Sequence, residues 1–327
     1  MDKEILEDIG EKELINRLGK FMPKNQISDD CAFIKTKNEN LLVNTDSLVE
    51  NVHFSDIISP GDLGWKAVDS NISDLLSSGS KKTIGITISL ILPAKTEWIW
   101  VEELYQGINK ALKKYGGIIL GGDCSKGNQK TISITAFGIQ GEIELRRNAC
   151  KSGDVILTTG IHGLSKLGFL IKNKSSLDND FSLKKRLISK SIEHFCRPKV
   201  YPNFLKNLIK TRSNKKIKKI GCTDSSDGLF QALQDLASAS KCKAIINYEK
   251  IPKDKDWPTG DKWDEYYFFG GEDYELVFSL PKKLAKNISK LDKDINEIGF
   301  FADGEPSIEF KDSNKNKLLN NTPFEHF

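Results

Sequence analysis

The chain has 327 residues, with 49 Lys or Arg against 45 Asp or Glu, so its formal net charge at pH 7 is +4. This length suits about two domains of ordinary size, and so small a charge does not predict a nucleic-acid partner. The sequence has no run of 18 apolar residues, no apolar leader segment and six widely spaced cysteines. These features predict a cytoplasmic protein without a membrane span, a zinc ribbon or a disulfide framework.

Helical and strand-like patterns alternate along the first half of the chain. An amphipathic pattern over 4–21 predicts a helix that is interrupted near Gly10. Pro60 at its start and Gly79 after its end mark a second helix that runs to Ser77. The other elements expected here are strands at 31–35, 40–46 and 83–92, a helix at 97–115, and strands at 117–123 and 131–139.

The polar segment 141–154 is the best candidate for a domain boundary. After it the alternation starts again, and the strands look too hairpin-like for a doubly wound parallel sheet. We therefore expect an α+β type of α/β protein with two mixed-sheet domains, at 1–145 and 146–327. The elements expected in the second half are a strand at 155–160, three helices, a strand at 217–223, a helix from Asp227, and strands near 243–248 and 274–280.

The strongest basic run, KTRSNKKIKKIG at 210–221, is typical of a solvated helix end and loop. Aromatic residues are not interleaved with its charges, so stacking on nucleic-acid bases is not expected. The sequence also lacks the phosphate-binding patterns GxxxxGK[ST] and GxGxxG and the zinc pattern HExxH. A nucleotide site in this chain must therefore be built in another way.

Carboxylates beside Gly or Ser at strand ends are the main chemical signal. Taken singly, an Asp before a helix is more often a cap, and an Asp-Gly pair is more often a turn. Taken together, carboxylates at one edge of a sheet repel each other unless cations lie among them, and Mg²⁺ prefers such oxygen ligands. The set comprises Asp29, Asp30, Asp46, Asp74, Asp123, Asp224, Asp227, Glu272 and Asp273.

Seven short motifs occur in an order that resembles the thiamine-monophosphate kinase family. The family belongs to the superfamily of aminoimidazole-ribotide synthetase, selenophosphate synthetase and a hydrogenase-maturation protein. The resemblance runs from about residue 26 to the C-terminal PFEHF. The motifs are DDCA, NTDSLVENVHF, NISDLLSSG, GGDCS, RNACKSGD, TDSSDGL and GGEDYEL.

The resemblance implies ATP-dependent, direct in-line transfer of the γ-phosphoryl group to thiamine monophosphate, which gives thiamine diphosphate. It also implies several Mg²⁺ ions, ATP bound between two domains, and a homodimer whose N-terminal sheets form a barrel-like interface. The acceptor phosphate, with a second pKa of about 6, is largely dianionic at neutral pH. Such a nucleophile needs no general base, and the motifs contain no His/Asp pair to supply one.

The resemblance also implies roles for individual residues. The metal-binding positions are Asp30, Asn44, Thr45, Asp46, Asp74, Asp123, Asp224 and Asp227. The nucleotide-contacting positions are Tyr105, Gly122, Asp123, Arg147 and Ser226. The positions that contact thiamine phosphate are His53, Glu272 and Phe324. The positions expected to act directly in phosphoryl transfer are Asp30, Asp46, Asp123, Asp227 and Arg147.

The sequence departs from the pattern of the family at Asn44, at Phe324 and in the RNACKSGD stretch, where Arg147 is the better match to the family arginine. Asn44 stands where Ser or Thr is usual, which retains a backbone contact to metal and leaves a side-chain contact open. Phe324 stands where Tyr or Trp is frequent, and it keeps an aromatic face for stacking. Two alternative functions stay open at this point: another ATP-using reaction of the superfamily, similar to that of aminoimidazole-ribotide synthetase, and a non-catalytic nucleotide or magnesium sensor.

Overall fold

The computed structural model describes residues 5–23, 26, 28–173, 183–211 and 217–312, so Phe324 and part of the basic tract lie outside the described residues. The helices are α1 (Leu6–Leu18), α2 (Pro60–Ser77), α3 (Trp98–Tyr115), α4 (Leu164–Lys172), α5 (Lys185–Cys196), α6 (Phe204–Thr211), α7 (Gly228–Ser240), α8 (Asp261–Phe269) and α9 (Lys282–Leu291). The strands are β1 (Ala32–Ile34), β2 (Leu41–Val49), β3 (Ser80–Leu92), β4 (Ile118–Lys126), β5 (Thr131–Gln140), β6 (Glu144–Arg146), β7 (Val155–Thr159), β8 (Lys219–Asp224), β9 (Lys243–Ile246), β10 (Leu276–Leu280), β11 (Ile295–Ala302) and β12 (Ser307–Phe310). Among the described residues, no helix is long and apolar enough to cross a membrane.

The elements of the first half lie close to where the sequence predicts them. Gly10, at φ +71°, interrupts α1 as predicted. α2 begins at Pro60 and ends at Ser77, and the Ser59 hydroxyl accepts a 3.1 Å hydrogen bond from the Asp62 backbone N–H as its N-cap. In the second half, α8, α9, β11 and β12 were not predicted.

The first sheet has the strand order β1-β2-β5-β3-β4, and only β3 and β4 pair in parallel. α2 and α3 contribute to the core on one face of this sheet, where Ile86 and Ile88 of β3 are buried. Thr45 and Ser47 of β2 lie on the opposite, exposed face. The sheet therefore has one covered face and one open face.

Two glycines bring α2 and α3 into direct backbone contact. A Cβ atom at Gly107 would lie 1.9 Å from the carbonyl oxygen of Gly61, and one at Gly64 would lie 2.1 Å from that of Leu104. Such distances are impossible for real Cβ atoms, so only glycine permits this approach. The contact fixes the position of α2, which carries the predicted site residue Asp74.

The second sheet has the strand order β12-β9-β11-β7-β10-β8-β6, with parallel pairs β12–β9 and β6–β8 among antiparallel neighbours. The prediction of mixed rather than purely parallel sheets is therefore confirmed. One core contains side chains of α4, α5, α7 and α8, and another contains those of α6 and α9. Helices thus pack on both faces of this sheet.

The segment 141–154, predicted to be a polar boundary, contains a strand of the second sheet. β6 pairs with β8 in parallel, and Ile143 and Leu145 are fully buried. Arg147 follows β6 directly, so this strand places the arginine beside the end of β8. The division into domains at residue 145 stays a prediction, and it passes through β6.

Candidate active site

Asp30, in the loop before β1, makes a direct ion pair with Arg147. Its side chain is 3% exposed, and Arg147 Nη2 and Nε lie 2.6 and 3.0 Å from its Oδ1. The hydroxyl groups of Thr223 and Ser77 also donate hydrogen bonds to this carboxylate. Burial acts to lower the pKa of Arg147, but the neighbouring carboxylates, led by that of Asp30, raise it overall. The guanidinium therefore stays charged, and two predicted site residues are in contact.

Asp29 holds the backbone of Arg147 in place. Its Oδ1 accepts a 2.8 Å hydrogen bond from the Arg147 backbone N–H, and its Oδ2 accepts one of 2.9 Å from Arg146 Nη1. The Arg146 guanidinium also stacks on the ring of Phe33, 3.1 Å from its centroid. Asp235 of α7, whose Oδ2 lies 3.2 Å from Arg147 Nη1, was not predicted as a site residue because no motif contains it.

Asp74 of α2 lies among other carboxylates. Burial, followed by the charges of Asp224, Asp46 and Asp30, raises the pKa of Asp74 well above its usual range. Asn44 Nδ2 donates a 2.8 Å hydrogen bond to Asp74 Oδ2, which partly offsets this effect. The structure thus brings four of the predicted metal-binding aspartates into mutual electrostatic range.

Asp224, at the end of β8, is the second strongly perturbed carboxylate. Burial, followed by the charge of Asp30, raises the pKa of Asp224 to about 7. Ser73 Oγ donates a 2.6 Å hydrogen bond to its Oδ2, and Ser226 Oγ donates one of 3.1 Å to its Oδ1. A carboxyl group that titrates near neutral pH without a cation indicates a site that gains from positive charge.

The donor atoms fit Mg²⁺ ions that are bound partly by water and phosphate. Besides the four carboxylates, Asn44 Oδ1 is buried and has no hydrogen-bond partner in the described part of the chain. Within the same residues, no three His, Cys, Asp or Glu side chains are arranged to hold one ion together. Mg²⁺ usually takes only one or two carboxylates and completes its octahedron with water and substrate phosphates. The arrangement therefore suits ions that arrive with a nucleotide.

Two other predicted metal positions are Thr45 and Asp227. The Thr45 hydroxyl lies 2.9 Å from that of Thr135 on the open face of the sheet, whereas Asn44 points toward α2. Thr45 can therefore offer the site only its backbone carbonyl. Asp227 is exposed at the start of α7, and its side chain makes no capping hydrogen bond to that helix. Asp227 occupies the N-cap position of α7 without a side-chain cap, and its predicted role in metal binding stays a prediction.

Three predicted nucleotide residues, Tyr105, Gly122 and Asp123, lie on α3 and β4. Asp123 is exposed and accepts a 2.9 Å hydrogen bond from Ser125 Oγ. Tyr105 is half-buried, and burial followed by the nearby Cys124 raises its pKa. Because β2 and β4 are separated by two strands, Asp123 on β4 lies away from Asp46 on β2 within one copy.

The two described acceptor-site residues are His53 and Glu272. His53 Nδ1 accepts a 3.1 Å hydrogen bond from the Val49 backbone N–H, so a neutral ring carries its proton on Nε2. Glu272 has φ +65°, in the left-handed region that is costly for a residue with a side chain, and its Oε1 lies 2.9 Å from Lys66 Nζ. Lys66 was not predicted, because a lysine within an amphipathic helix pattern reads as a surface residue.

Comparison with known proteins identifies the family. Residues 28–140 match the family model described as AIR synthase related protein, N-terminal domain. The sequence is 41% identical over 326 residues to the thiamine-monophosphate kinase of Prochlorococcus marinus, which covers 99% of this chain and 98% of that relative. The chain belongs to the thiamine-monophosphate kinase family. The resemblance that the seven motifs indicate is therefore confirmed.

Solved structures of the thiamine-monophosphate kinase family share the fold. A structure described as AaThiL complexed with AMPPCP and TMP has a TM-score of 0.84 and 29% identity, with 100% of both chains covered. A thiamine monophosphate kinase from Aquifex aeolicus has a TM-score of 0.76 and 28% identity, with 94% of this chain and 98% of that chain covered. The mixed α/β fold predicted from the sequence is confirmed, while the roles of single residues stay predictions.

Proposed function

We propose that this chain transfers the γ-phosphoryl group of ATP to thiamine monophosphate and thereby forms thiamine diphosphate. The observation that carries the proposal is the group of four aspartates, Asp30, Asp46, Asp74 and Asp224, with Arg147 in contact with the first of them. Many carboxylates beside one partly buried arginine suit the handling of two polyanions. The names of the relatives and the motif order support the choice of substrate.

The proposed chemistry relies on charge and alignment rather than on proton abstraction. The attacking oxygen belongs to a phosphate that is already ionised, so no general base is required. Asp30, Asp46, Asp74 and Asp224 would hold Mg²⁺ ions, which supply the charge that screens donor and acceptor from each other. Arg147 would bind the nucleotide phosphates, and its contacts with Asp29 and Asp30 hold it ready for that role.

The acceptor residues would bind the other half of thiamine monophosphate. Glu272 offers a carboxylate to a cationic heterocycle, and His53 offers its Nε2–H. Phe324 would supply an aromatic face for stacking. Ser226 and Glu272 are joined by a backbone hydrogen bond of 2.6 Å, which supports adjacent donor and acceptor sites.

A homodimer forms part of the proposal, because one copy leaves Asp123 away from Asp46. Asp123 pairs in register with Ser89 of β3, Ser89 with Ser133 of β5, and Ser133 with Ser47 of β2. Three strand spacings amount to about 14 Å. Asp46 therefore shares one ion with an Asp123 only if the latter comes from a second copy.

The exposed edges of the first sheet support the same proposal. β1 and β4 are its edge strands, and Ile34, Ile118 and Leu120 expose 46, 63 and 48% of their surface. Open edges with exposed apolar side chains favour pairing with another chain. We also propose a cytoplasmic location, which agrees with the six unpaired thiols.

The test incubates purified protein with ATP, Mg²⁺ and thiamine monophosphate and detects thiamine diphosphate by mass spectrometry. Free thiamine and aminoimidazole precursors serve as parallel acceptors. We expect product from the monophosphate alone, its loss in Asp46→Asn, and its retention in the matched control Asp303→Asn, which alters an exposed residue after β11. Product from another acceptor would support a different superfamily reaction, and nucleotide binding without product would support a sensor.

A further inference from the structure

Lys66 is a buried cation that the proposed reaction does not use. It lies near the middle of α2, and its side chain is 2% exposed. Removing an ammonium group from water is unfavourable, so such a lysine persists only where other groups compensate it. Here its Nζ lies 2.9 Å from Glu272 Oε1 and 4.3 Å from the centroid of the Phe195 ring. The lysine therefore links α2 to the GGEDYEL segment and to α5.

The two side chains of this ion pair differ in their exposure to solvent. The Glu272 side chain is 32% exposed, whereas that of Lys66 lies beneath it at 2%. A ligand that approaches from solvent meets the carboxylate first, with the ammonium behind it. Lys66 therefore acts on a ligand through Glu272.

Hydrogen bonds hold both backbone polar groups of Glu272, its N–H and its carbonyl. Its N–H donates a 2.6 Å hydrogen bond to the Ser226 carbonyl, and its own carbonyl accepts one of 2.7 Å from Ser165 Oγ. The next residue, Asp273, accepts a 2.9 Å hydrogen bond from the Ser165 backbone N–H at the start of α4. With the main chain held at a positive φ, the largest freedom left to Glu272 is rotation of its side chain.

We propose that Lys66 is a positioning residue for the acceptor site, which fixes the Glu272 carboxylate where it meets the cationic heterocycle of thiamine monophosphate. The proposal rests on the proposed function, since it takes Glu272 as a substrate contact. An unanchored glutamate would lose rotamer freedom each time the substrate binds, and a carboxylate fixed in advance avoids that loss. The ATP site does not share this contact, so the effect is confined to the acceptor.

The experiment measures steady-state kinetics of Lys66→Met, Lys66→Arg and Glu272→Gln, with each substrate varied in turn. For Lys66→Met we expect KM for thiamine monophosphate to rise about 10-fold, while KM for ATP stays within about twofold. Lys66→Arg keeps the charge and should restore most of the affinity. The matched control is Lys81→Met, which breaks a 2.7 Å Lys–Glu pair with Glu39 at the surface and should change neither KM.

The double variant separates positioning from general stability. If Lys66 acts through Glu272, Lys66→Met should change KM for thiamine monophosphate less than about twofold in the Glu272→Gln background. Additive effects, or an equal rise in KM for ATP, would overturn the positioning role. If the wild type is active and Lys66→Met keeps the wild-type KM for thiamine monophosphate, this role alone is overturned. A wild type that fails to phosphorylate thiamine monophosphate overturns both this role and the proposed function.

Discussion

The backbone N–H of Glu272 donates a 2.6 Å hydrogen bond to the carbonyl oxygen of Ser226. Ser226 in turn donates from its hydroxyl to Asp224, at the end of β8. In the proposed function Ser226 contacts the nucleotide and Glu272 contacts the acceptor. In that function, residues joined by hydrogen bonds would bind the two substrates.

The left-handed backbone of Glu272 leads to the first prediction. At φ +65° a Cβ atom is unfavourable, whereas glycine adopts this region readily. We expect Glu272→Gly to be more stable than Glu272→Ala by about 1 kcal/mol. Both variants lack the carboxylate, so both should bind thiamine monophosphate weakly. Urea denaturation of the two proteins measures the difference in the free energy of unfolding.

The matched control reverses the order at an ordinary helical position. Glu265 is exposed within α8, where glycine is disfavoured relative to alanine by about 1 kcal/mol. Glu265→Ala should therefore be more stable than Glu265→Gly. Equal stability of Glu272→Gly and Glu272→Ala would show that the positive φ at residue 272 carries no strain.

The separation of Asp46 from Asp123 leads to the second prediction. If each site takes Asp46 from one copy and Asp123 from the other, Asp46→Asn and Asp123→Asn should each be inactive alone. In a co-expressed mixture, half of the dimers would be mixed, and one of the two sites in each would carry both native aspartates. We expect thiamine diphosphate formation to return to about a quarter of the wild-type rate.

The control for this experiment mixes two Asp→Asn variants whose altered residues lie in the same cluster of one copy. Asp46→Asn and Asp74→Asn alter residues that the structure brings together within one copy. In a mixed dimer of these two variants, one site carries Asp46→Asn and the other carries Asp74→Asn. Neither site is native, so the mixture should stay inactive. Activity in this control, or none in the Asp46 and Asp123 mixture, would contradict the shared site.

Local sequence patterns predict some of these features well because their causes are local. Pro60, the Ser59 cap and the helical spacing of apolar residues are all contained in one segment, so the bounds of α2 follow from the sequence. The motif order also predicts that Asp30 and Arg147 are site residues. Their ion pair joins residues 117 positions apart and depends on the β6–β8 pairing, so spacing alone does not predict it.

Other features of the site depend on which way a side chain points. Asn44 and Thr45 are neighbours in one motif, but the pleat of β2 sends them to opposite faces of the sheet. In α9, Leu284 and Ile288 lie one helical turn apart and face the core, a signal that the prediction omits. Lys66 has no sequence signal, because its partner Glu272 lies far along the chain.

The close contact of α2 and α3 leads to the third prediction. A Cβ atom at Gly107 would lie 1.9 Å from the Gly61 carbonyl oxygen, so Gly107→Ala forces the two helices apart. We expect a loss of about 3 kcal/mol in the free energy of unfolding. Gly61→Ala is the matched control, since its Cβ would meet only the Glu103 carbonyl oxygen at an ordinary 3.6 Å. Thermal unfolding of both variants checks this, and equal melting temperatures would contradict the tight contact.

A buried histidine outside the seven motifs leads to the fourth prediction. His162, between β7 and α4, is fully buried, and its Nε2 lies 2.6 Å from Thr158 Oγ1. Its Nδ1 has no hydrogen-bond partner within the described residues. Burial, assisted by the nearby His194, lowers the pKa of His162 to about 3. The folded protein therefore holds this ring neutral at pH values where the unfolded chain protonates it.

The sign of the effect on stability follows from this difference in pKa. An unfolded histidine has a pKa of about 6.5, so the unfolded state binds more protons below that value. The contribution of His162 is fully present above pH 6.5 and is lost progressively as the pH falls toward 3. At pH 5 the loss relative to pH 7 is about 2 kcal/mol.

Urea denaturation of the wild type and of His162→Gln from pH 5 to pH 7 isolates this contribution. Carboxylates that titrate in the same range affect both proteins alike and cancel in the comparison. Because glutamine keeps a polar group for Thr158 but does not titrate, the variant should lose about 2 kcal/mol less than the wild type between pH 7 and pH 5. Should the variant be too unstable to measure, His162→Leu supplies a second non-titrating side chain. Parallel curves for wild type and variant would show that the folded protein accepts a charged ring at this position.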